Sequence, residues 1–139
     1  MSTFMVNIVT PDGLIYEHEA NFLVANTEAG SLGILPKHCP LIAPLKIDAV
    51  RIDREGDIND WIAVNGGVIE VRDNVVSIIA NSAETEENID ISRAEQARKR
   101  AEQKIEAAKN EQNQSIDMAR AEVALYRALN RLNVANKRR

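Results

Sequence analysis

The side chains best suited to covalent or metal chemistry in this 139-residue chain are one cysteine and two histidines. A nucleophilic Cys39 would need a base and a group that orients that base, and the only histidines are His18 and His38. Because Cys39 lies between His38 and Pro40, we interpret it as a small, half-buried packing residue. Neither His-x₃₋₅-His nor Cys-x₂-Cys spacing occurs. We therefore expect no catalytic site and no metal site.

Four arginines at helical spacing form a second group that could bind a ligand. Arg93 and Arg100 are seven residues apart, so on a helix they lie within roughly 20° of each other. Arg127 and Arg131 are one turn apart, a like-charge spacing that costs about a few tenths of a kcal/mol unless an anion intervenes. An anion between two helices would turn this repulsion into charge-assisted hydrogen bonds.

The alternative for the same region is purely structural. Asp90 would be the N-cap of a helix, and the arginines would be solvated partners of acids on the helices: Glu95, Glu102 and Glu122. Ser92 competes with Asp90 for the cap, because Ser92-x-x-Glu95 fits a capping box. The residues alone leave the anion site and the solvated surface both open.

The elements that would position these groups change character near residue 84. Before it, short runs rich in β-branched residues recur about every ten residues, separated by turns such as Pro11-Asp12-Gly13. This pattern favours an antiparallel β-sandwich or flattened barrel. The segment 30–41 is predicted to be rich in loop. Gly66-Gly67 lies between two strands, which indicates a bulge or a close backbone approach rather than a phosphate-binding loop.

After a polar linker at 84–88 the apolar period becomes helical. One helix is predicted from about residue 90 or 92 and a second over about 116–133, joined by a polar connection at 110–115 and therefore antiparallel. The facing stripes are alanine, at Ala94, Ala97, Ala101, Ala108, Ala121, Ala124, Ala128 and Ala135. Alanine buries little area, so we expect a weakly held hairpin. The predicted fold class is α+β in two parts, a β-sandwich domain over 1–84 and a regulatory helical hairpin over 85–139.

Charge and hydropathy exclude several classes of function. Residues 1–84 carry a net charge of −7 and residues 85–139 a net charge of +3, which suits a tail that meets an acidic surface or an anion, or a solvated helix pair. The pI of about 5.2 argues against a nucleic-acid partner. No apolar run approaches the roughly 18 residues of a membrane helix, and no secretory signal is visible. We expect a cytoplasmic chain whose membrane contact comes only through partners.

Four short motifs occur in an order that is specific as a set: Val9-Thr10-Pro11-Asp12-Gly13, Leu32-Gly33-Ile34-Leu35-Pro36-x-His38-x-Pro40-Leu41, Gly66-Gly67-Val68-Ile69-Glu70-Val71, and Ile89-Asp90-x-x-Arg93-Ala94. They precede a helix ending Arg127-Ala128-Leu129-Asn130-Arg131-Leu132. Over its whole length the chain resembles the ε subunit of bacterial F-type ATP synthase.

The resemblance implies a non-catalytic subunit in the central stalk of a proton-translocating ATP synthase, peripheral on the cytoplasmic face of the bacterial cell membrane. The β domain would dock against the γ subunit and the c-subunit ring, with Ser31, His38 and Leu41 at the contact. Many relatives carry Glu where Ser31 stands, which puts an acidic contact there in doubt. A loop histidine satisfied by its neighbours remains the alternative for His38. The hairpin would switch between a folded state and an extended state that enters the catalytic α/β ring and inhibits ATP hydrolysis.

The resemblance further implies that the folded hairpin binds ATP as a regulatory ligand without hydrolysing it. Matching the family motif position by position places the base and ribose near Glu84, Ile89, Asp90 and Ala94. It places the phosphates near Arg93, Arg100, Arg127 and Arg131. No catalytic cofactor is expected. The competing function is that of a basic helical-hairpin adaptor or scaffold without a regulatory switch.

Overall fold

The computed structural model describes residues 2–109 and 115–137, without the side chains of 115–117. The strands are β1 (Phe4–Thr10), β2 (Gly13–Ala20), β3 (Phe22–Thr27), β4 (Gly30–Ile34), β5 (Leu41–Arg54), β6 (Ile58–Arg72), β7 (Val75–Ala80) and β8 (Ala83–Thr85). A 3₁₀ turn at Glu86–Asn88 leads to the helices α1 (Ile91–Lys109) and α2 (Ser115–Asn136). This order of a β body followed by two helices confirms the predicted fold class.

The strands form one unclosed, folded sheet in the order β2-β1-β7-β6-β5-β3-β4, and β8 also pairs with β6. The long antiparallel pair β5–β6 keeps one register from Leu41↔Val71 to Arg54↔Ile58. β1 and β7 run parallel, so the sheet is mixed at this one pair of the described strands. β1 lies between its sequence neighbour β2, with which it pairs antiparallel, and β7, with which it pairs parallel.

Gly67 allows β6 to pass very close to β7. Its φ of 135° lies in the region that favours glycine. A Cβ at this position would overlap the Ile79 carbonyl and lie 2.8 Å from the Ala80 Cα. The predicted close backbone approach is therefore confirmed, while the β5–β6 register runs through this point without a shift.

Two strands differ from the sequence prediction. The start of the predicted loop at 30–41 is the strand β4, which pairs Leu23↔Ile34 through Thr27↔Gly30 with β3. The predicted linker at 84–88 begins with β8, which pairs Ile62↔Thr85 with β6. Neither segment has a strand pattern of its own, and each becomes a strand because a neighbouring strand presents unpaired backbone groups to it.

The core of the body lies between the two folded halves of the sheet. It consists of alternate, mostly branched side chains that are almost fully buried, among them Val6, Ile8, Leu23, Ile52, Ile62, Ile69 and Ile78. A second, smaller cluster joins the sheet to the helices and contains Ala49, Ala63, Ile89, Val134 and Ala135, with Trp61 against it. The end of α2 is therefore packed onto β5 and β6.

The helices pack antiparallel on alanine, as predicted. Residues near the start of α1 share a cavity wall with Arg131 near the end of α2, while Lys104 and Ala107 share one with Arg120. The buried seam residues include Ala94, Ala101, Ala108, Ala121 and Ala128. Ala124 was predicted on the seam but is exposed, and it lines a cavity between the helices together with Ala97 and Ala101 of α1. The predicted polar connection at 110–115 lies outside the described residues apart from Ser115.

Candidate functional site

A cavity of about 480 Å³ lies where the end of the β body meets the two helices. β8 and the 3₁₀ turn form one wall, the first turns of α1 a second, and the end of α2 a third. The lining residues are Glu84, Asn88, Asp90, Arg93, Ala94, Ala97, Arg100 and Arg131. Three guanidinium groups face two carboxylates here, so the cavity is suited to an anionic ligand with a polar, uncharged part.

The structure brings six of the eight expected ATP-site residues to this cavity. The two others lie apart from the lining. Ile89 is buried in the small cluster with Ala49 and Val134, where it packs α2 against the sheet. Arg127 is exposed one turn before Arg131 on α2, outside the cavity wall.

An ion pair crosses the cavity between the β body and α2. The Arg131 Nε donates to the Glu84 Oε1 at 2.7 Å, and the two side chains keep only 25% and 31% of their exposure. The partners are 47 residues apart in the chain. This contact ties the folded hairpin to β8 and places the Arg131 charge at the cavity.

Arg93 and Arg100 make no side-chain hydrogen bond or ion pair within residues 2–109 and 115–137. The acids that could have neutralised them are already paired, because Arg98 bonds Glu95 at 2.7 Å and Glu102 at 3.5 Å. These bonds raise the pKa of Arg98. The alternative had paired Glu95 and Glu102 with the arginines of the expected site, but both acids bond Arg98 instead, and the guanidinium groups of Arg93 and Arg100 keep their hydrogen-bonding capacity.

Asp90 is the N-cap of α1. Its Oδ1 accepts a hydrogen bond from the Arg93 backbone N–H at 3.0 Å, and its carbonyl accepts one from Ala94 at 3.0 Å. The cap is Asp90 rather than Ser92, and Glu95 is used by Arg98 instead of a capping box. Capping also fixes the direction of the Asp90 side chain at the cavity edge.

Two cavity residues were missed by the sequence reasoning. Asn88 is exposed at the end of the 3₁₀ turn, and Ala97 is a half-buried residue of the alanine stripe. The spacing Ala94–Ala97 on one helix face could have indicated an apolar floor. For Asn88 the only signal was its position between Glu84 and Asp90.

The three expected docking residues lie on β4, in the loop that follows it and at the start of β5, and they differ in exposure. Ser31 is exposed on β4. Leu41 begins β5 and packs partly against the core. His38 is half-buried, and its Nδ1 donates to the Cys39 carbonyl at 2.7 Å, which agrees with a histidine satisfied by its neighbours. Cys39 itself is exposed, so the half-buried position predicted for it was wrong, because the loop turns this thiol outward.

An exposed apolar row crosses five strands of the sheet. The register places Leu14 beside Val9, Val9 beside Ile79, Ile79 beside Val68, and Val68 beside Pro44. All five side chains are exposed. We call these residues the apolar row. Such a continuous apolar face on a soluble body is typical of a protein–protein contact.

Two family models cover almost the whole chain. The β-sandwich domain of the ATP synthase delta/epsilon chain matches residues 3–86. The long α-helix domain of the same chain matches residues 87–136. The chain belongs to the ATP synthase delta/epsilon family. It is a non-catalytic subunit of that complex, in agreement with the sequence prediction.

Solved structures share this fold. One is a chain of the Euglena gracilis mitochondrial ATP synthase, OSCP/F1/c-ring in rotational state 1, with a TM-score of 0.78 and 22% identity over 98% of this chain and 82% of that chain. Another belongs to the central stalk/c-ring of the Tetrahymena thermophila mitochondrial ATP synthase, with a TM-score of 0.55 and 16% identity over 96% and 94%. Neither described helix is long and apolar enough to span a membrane.

Proposed function

We propose that this ATP synthase delta/epsilon chain acts in the central stalk, where its β body links the rotor to the c-subunit ring and its hairpin restrains ATP hydrolysis. The observation that supports this proposal most directly is the arginine-lined cavity between β8, α1 and α2. A ligand in that cavity would contact the body and both helices at once. The folded state of the hairpin would then depend on the ligand, which a static scaffold does not require.

The apolar row is the surface proposed for the γ subunit. It spans five strands of one rigid sheet, and its central residues Val9, Ile79 and Val68 are directly paired neighbours. A rigid apolar face suits a permanent rotor contact, because little side-chain entropy is lost on binding. The expected contact through His38 would extend this face toward the end of the sheet.

Ile79→Asp tests this surface, because it places a charge at the centre of the row without changing a core residue. We expect binding to isolated γ to weaken at least about tenfold, since an unpaired charge in an interface costs several kcal/mol. The control is Ile58→Asp, which puts the same charge on an exposed isoleucine beside the β5–β6 turn, outside the apolar row. Equal affinity of the Ile79→Asp variant and the wild type would rule out this docking face.

The c-subunit ring is proposed to contact the body through Ser31 and Leu41. Ile42, next to Leu41, adds an apolar side chain that is 72% exposed. Ser31 offers a hydroxyl where many relatives carry Glu, so the contact would depend on apolar packing more than on an acidic group. Contact with the membrane would come through this ring, on the cytoplasmic face of a bacterial membrane, in a complex that translocates protons.

ATP is the ligand proposed for the cavity. Arg93 and Arg100 supply free guanidinium groups that match phosphate oxygens, and Arg131 adds a third near Glu84. Ala94 and Ala97 give the cavity lining an apolar part, against which the base is proposed to lie. The described lining residues include no nucleophile–base set, so bound ATP would act as a regulatory ligand, and it would stabilise the folded hairpin by mass action.

Isothermal titration of the full chain with ATP tests this site. We expect Arg100→Ala to weaken ATP binding at least about tenfold, because a charge-assisted bond to phosphate contributes roughly 1.5–3 kcal/mol. Arg98→Ala is the matched control, since it removes the same charge from the same helix but from a side chain already paired outside the cavity. Absence of binding heat up to millimolar ATP, or an equal loss of ATP affinity in both variants, would contradict an ATP site in this cavity.

Arg127→Ala gives a finer result in the same titration. Arg127 lies outside the cavity wall in the folded hairpin. If Arg127→Ala weakens ATP binding as much as Arg100→Ala does, the phosphates extend along α2 beyond the cavity. If it weakens ATP binding by less than about twofold, the phosphates contact only Arg93, Arg100 and Arg131.

A further inference from the structure

The last two turns of α2 connect the hairpin to the β body by three polar contacts. The Asn130 Nδ2 donates to the Val64 carbonyl of β6 at 3.1 Å. Arg131 pairs with Glu84 of β8 at 2.7 Å. The Lys137 ammonium lies 4.5 Å from the centre of the Trp61 ring. We call residues 130–137 the latch.

Asn130 is the most buried polar residue of the latch, with 6% of its surface exposed. Its Nδ2 is used, but its Oδ1 has no hydrogen-bond partner among the described residues. A buried acceptor without a partner costs at least as much free energy as one neutral hydrogen bond contributes. The bond from Nδ2 to Val64 therefore selects one position of α2 on β6, because any shift of the helix would leave both polar atoms of this buried amide unpaired.

We propose that Asn130 is the positioning residue that sets the fraction of molecules whose hairpin is docked on the β body. This inference rests on the hairpin switch proposed above, and it assigns the release point to the α2–β6 contact. Arg131, the next residue, belongs both to the latch and to the cavity wall. Release of the latch would consequently remove one wall of the cavity and lower the apparent affinity for an anion in proportion to the docked fraction.

Thiol labelling of a buried latch residue can measure that fraction even when undocking is rare. Val134 is fully buried against Ala49 and Ala63, and Val134→Cys is close in volume. Cys39→Ser removes the exposed natural thiol. In this double-substituted full chain, the labelling rate of residue 134 would be proportional to the undocked population.

Asn130→Asp is the decisive change in that background. It replaces the Nδ2 donor by a carboxylate oxygen that faces the Val64 carbonyl, so two acceptors meet and a charge is buried. We expect labelling to become at least about tenfold faster. Asn130→Ala, which removes the donor without adding charge, should shift the rate in the same direction by a smaller factor.

Gln103→Glu is the control, because it makes the same change from amide to carboxylate at an exposed position of the hairpin outside the latch. We expect its labelling rate to stay within about twofold of the background. Unchanged labelling in both Asn130 variants, or equal acceleration by Gln103→Glu, would overturn the proposal. Cooperative thermal unfolding of the sheet in each variant excludes general loss of structure.

Addition of ATP separates this inference from the proposed ligand. Slower labelling of the background chain with ATP would support the ATP site. If ATP has no effect while Asn130→Asp still accelerates labelling, the role of Asn130 is supported and the ATP site is contradicted. If ATP slows labelling but Asn130→Asp does not accelerate it, the ATP site is supported and the role of Asn130 is contradicted.

Discussion

At the scale of single residues, one buried network lies outside the cavity and joins distant parts of the β body. The Tyr16 hydroxyl donates to the Asp60 Oδ2 at 2.6 Å, and the Arg54 Nε donates to the same oxygen at 2.8 Å. His18 packs edge-on against the Tyr16 ring. The network connects β2 to the β5–β6 hairpin and satisfies a carboxylate that is mostly covered.

Stability at high pH should depend on Tyr16. Burial, followed by the hydrogen bond to Asp60, raises the pKa of Tyr16 well above its ordinary value of 10.0. The folded state thus holds this proton more tightly than the unfolded state, so its contribution is complete below pH 10 and is lost as pH rises further. The slope from this group reaches about 1.4 kcal/mol per pH unit.

Tyr16→Phe should abolish this pH dependence of the free energy of unfolding. It should also lower the free energy of unfolding by about 1 kcal/mol at neutral pH, because one hydrogen bond is lost. Urea unfolding at several pH values between neutrality and 11 measures both effects. Tyr126→Phe is the control, because Tyr126 is 55% exposed, and it should behave as the wild type does. If the free energy of unfolding of Tyr16→Phe falls with pH as steeply as that of the wild type, other groups cause the loss of stability at high pH.

At the scale of elements, the end of the β body is set by pairing rather than by composition. β8 pairs Ala83, Glu84 and Thr85 with β6, and the following turn leads directly to Ile89 in the helix-facing cluster. A boundary at residue 84 would cut β8, while the family models divide the chain between 86 and 87. The predicted domain of 1–84 therefore remains a prediction, and the strand favours a slightly longer unit.

A chain ending at residue 88 should fold cooperatively and bind γ, because the main core lies wholly within the sheet. A chain ending at 82 lacks β8 and should be less stable by about 1–2 kcal/mol, since it loses three strand residues and their hydrogen bonds to β6. Thermal unfolding and γ binding of the two chains measure this. If the longer chain is unfolded, the β body is not an independent unit.

At the scale of the whole molecule, a β body with a large apolar core is joined to two helices that pack against each other through alanine. The body buries large branched side chains, while the seam buries alanine. Area burial at about 25 cal/mol per Å² makes the second contact much the weaker. The molecule thus combines a well-packed β body with a helical hairpin that is held by a smaller apolar contact.

Removal of residues 89–139 tests the regulatory role in the assembled ATP synthase. The hairpin carries no catalytic group, so we expect ATP hydrolysis to rise or stay unchanged while proton-coupled synthesis persists. The complex assembled with the unmodified full-length chain serves as the control. Loss of both activities in a fully assembled complex would contradict a purely regulatory hairpin, and identical activity under all ATP concentrations would favour a scaffold without a switch.

The sequence by itself determined the two-part organisation, the alanine seam, the turn at Pro11-Asp12-Gly13 and the alternatives for the cap of α1. These features depend on local periodicity and on the φ preferences of single residues, which neighbouring residues fully specify. The family motifs likewise lie in order along the chain. Local patterns were therefore sufficient for the class of fold and for the family.

Only the tertiary structure decided which groups meet. β4 and β8 are strands because β3 and β6 offer them backbone partners. Glu84 finds Arg131 across 47 residues, and Asn130 finds Val64 across 66. Arg98 takes the acids near Arg93 and Arg100, while Arg127 falls outside the cavity. Such pairings depend on strand register and helix rotation, which are set by packing of the whole chain and leave no local trace in the sequence.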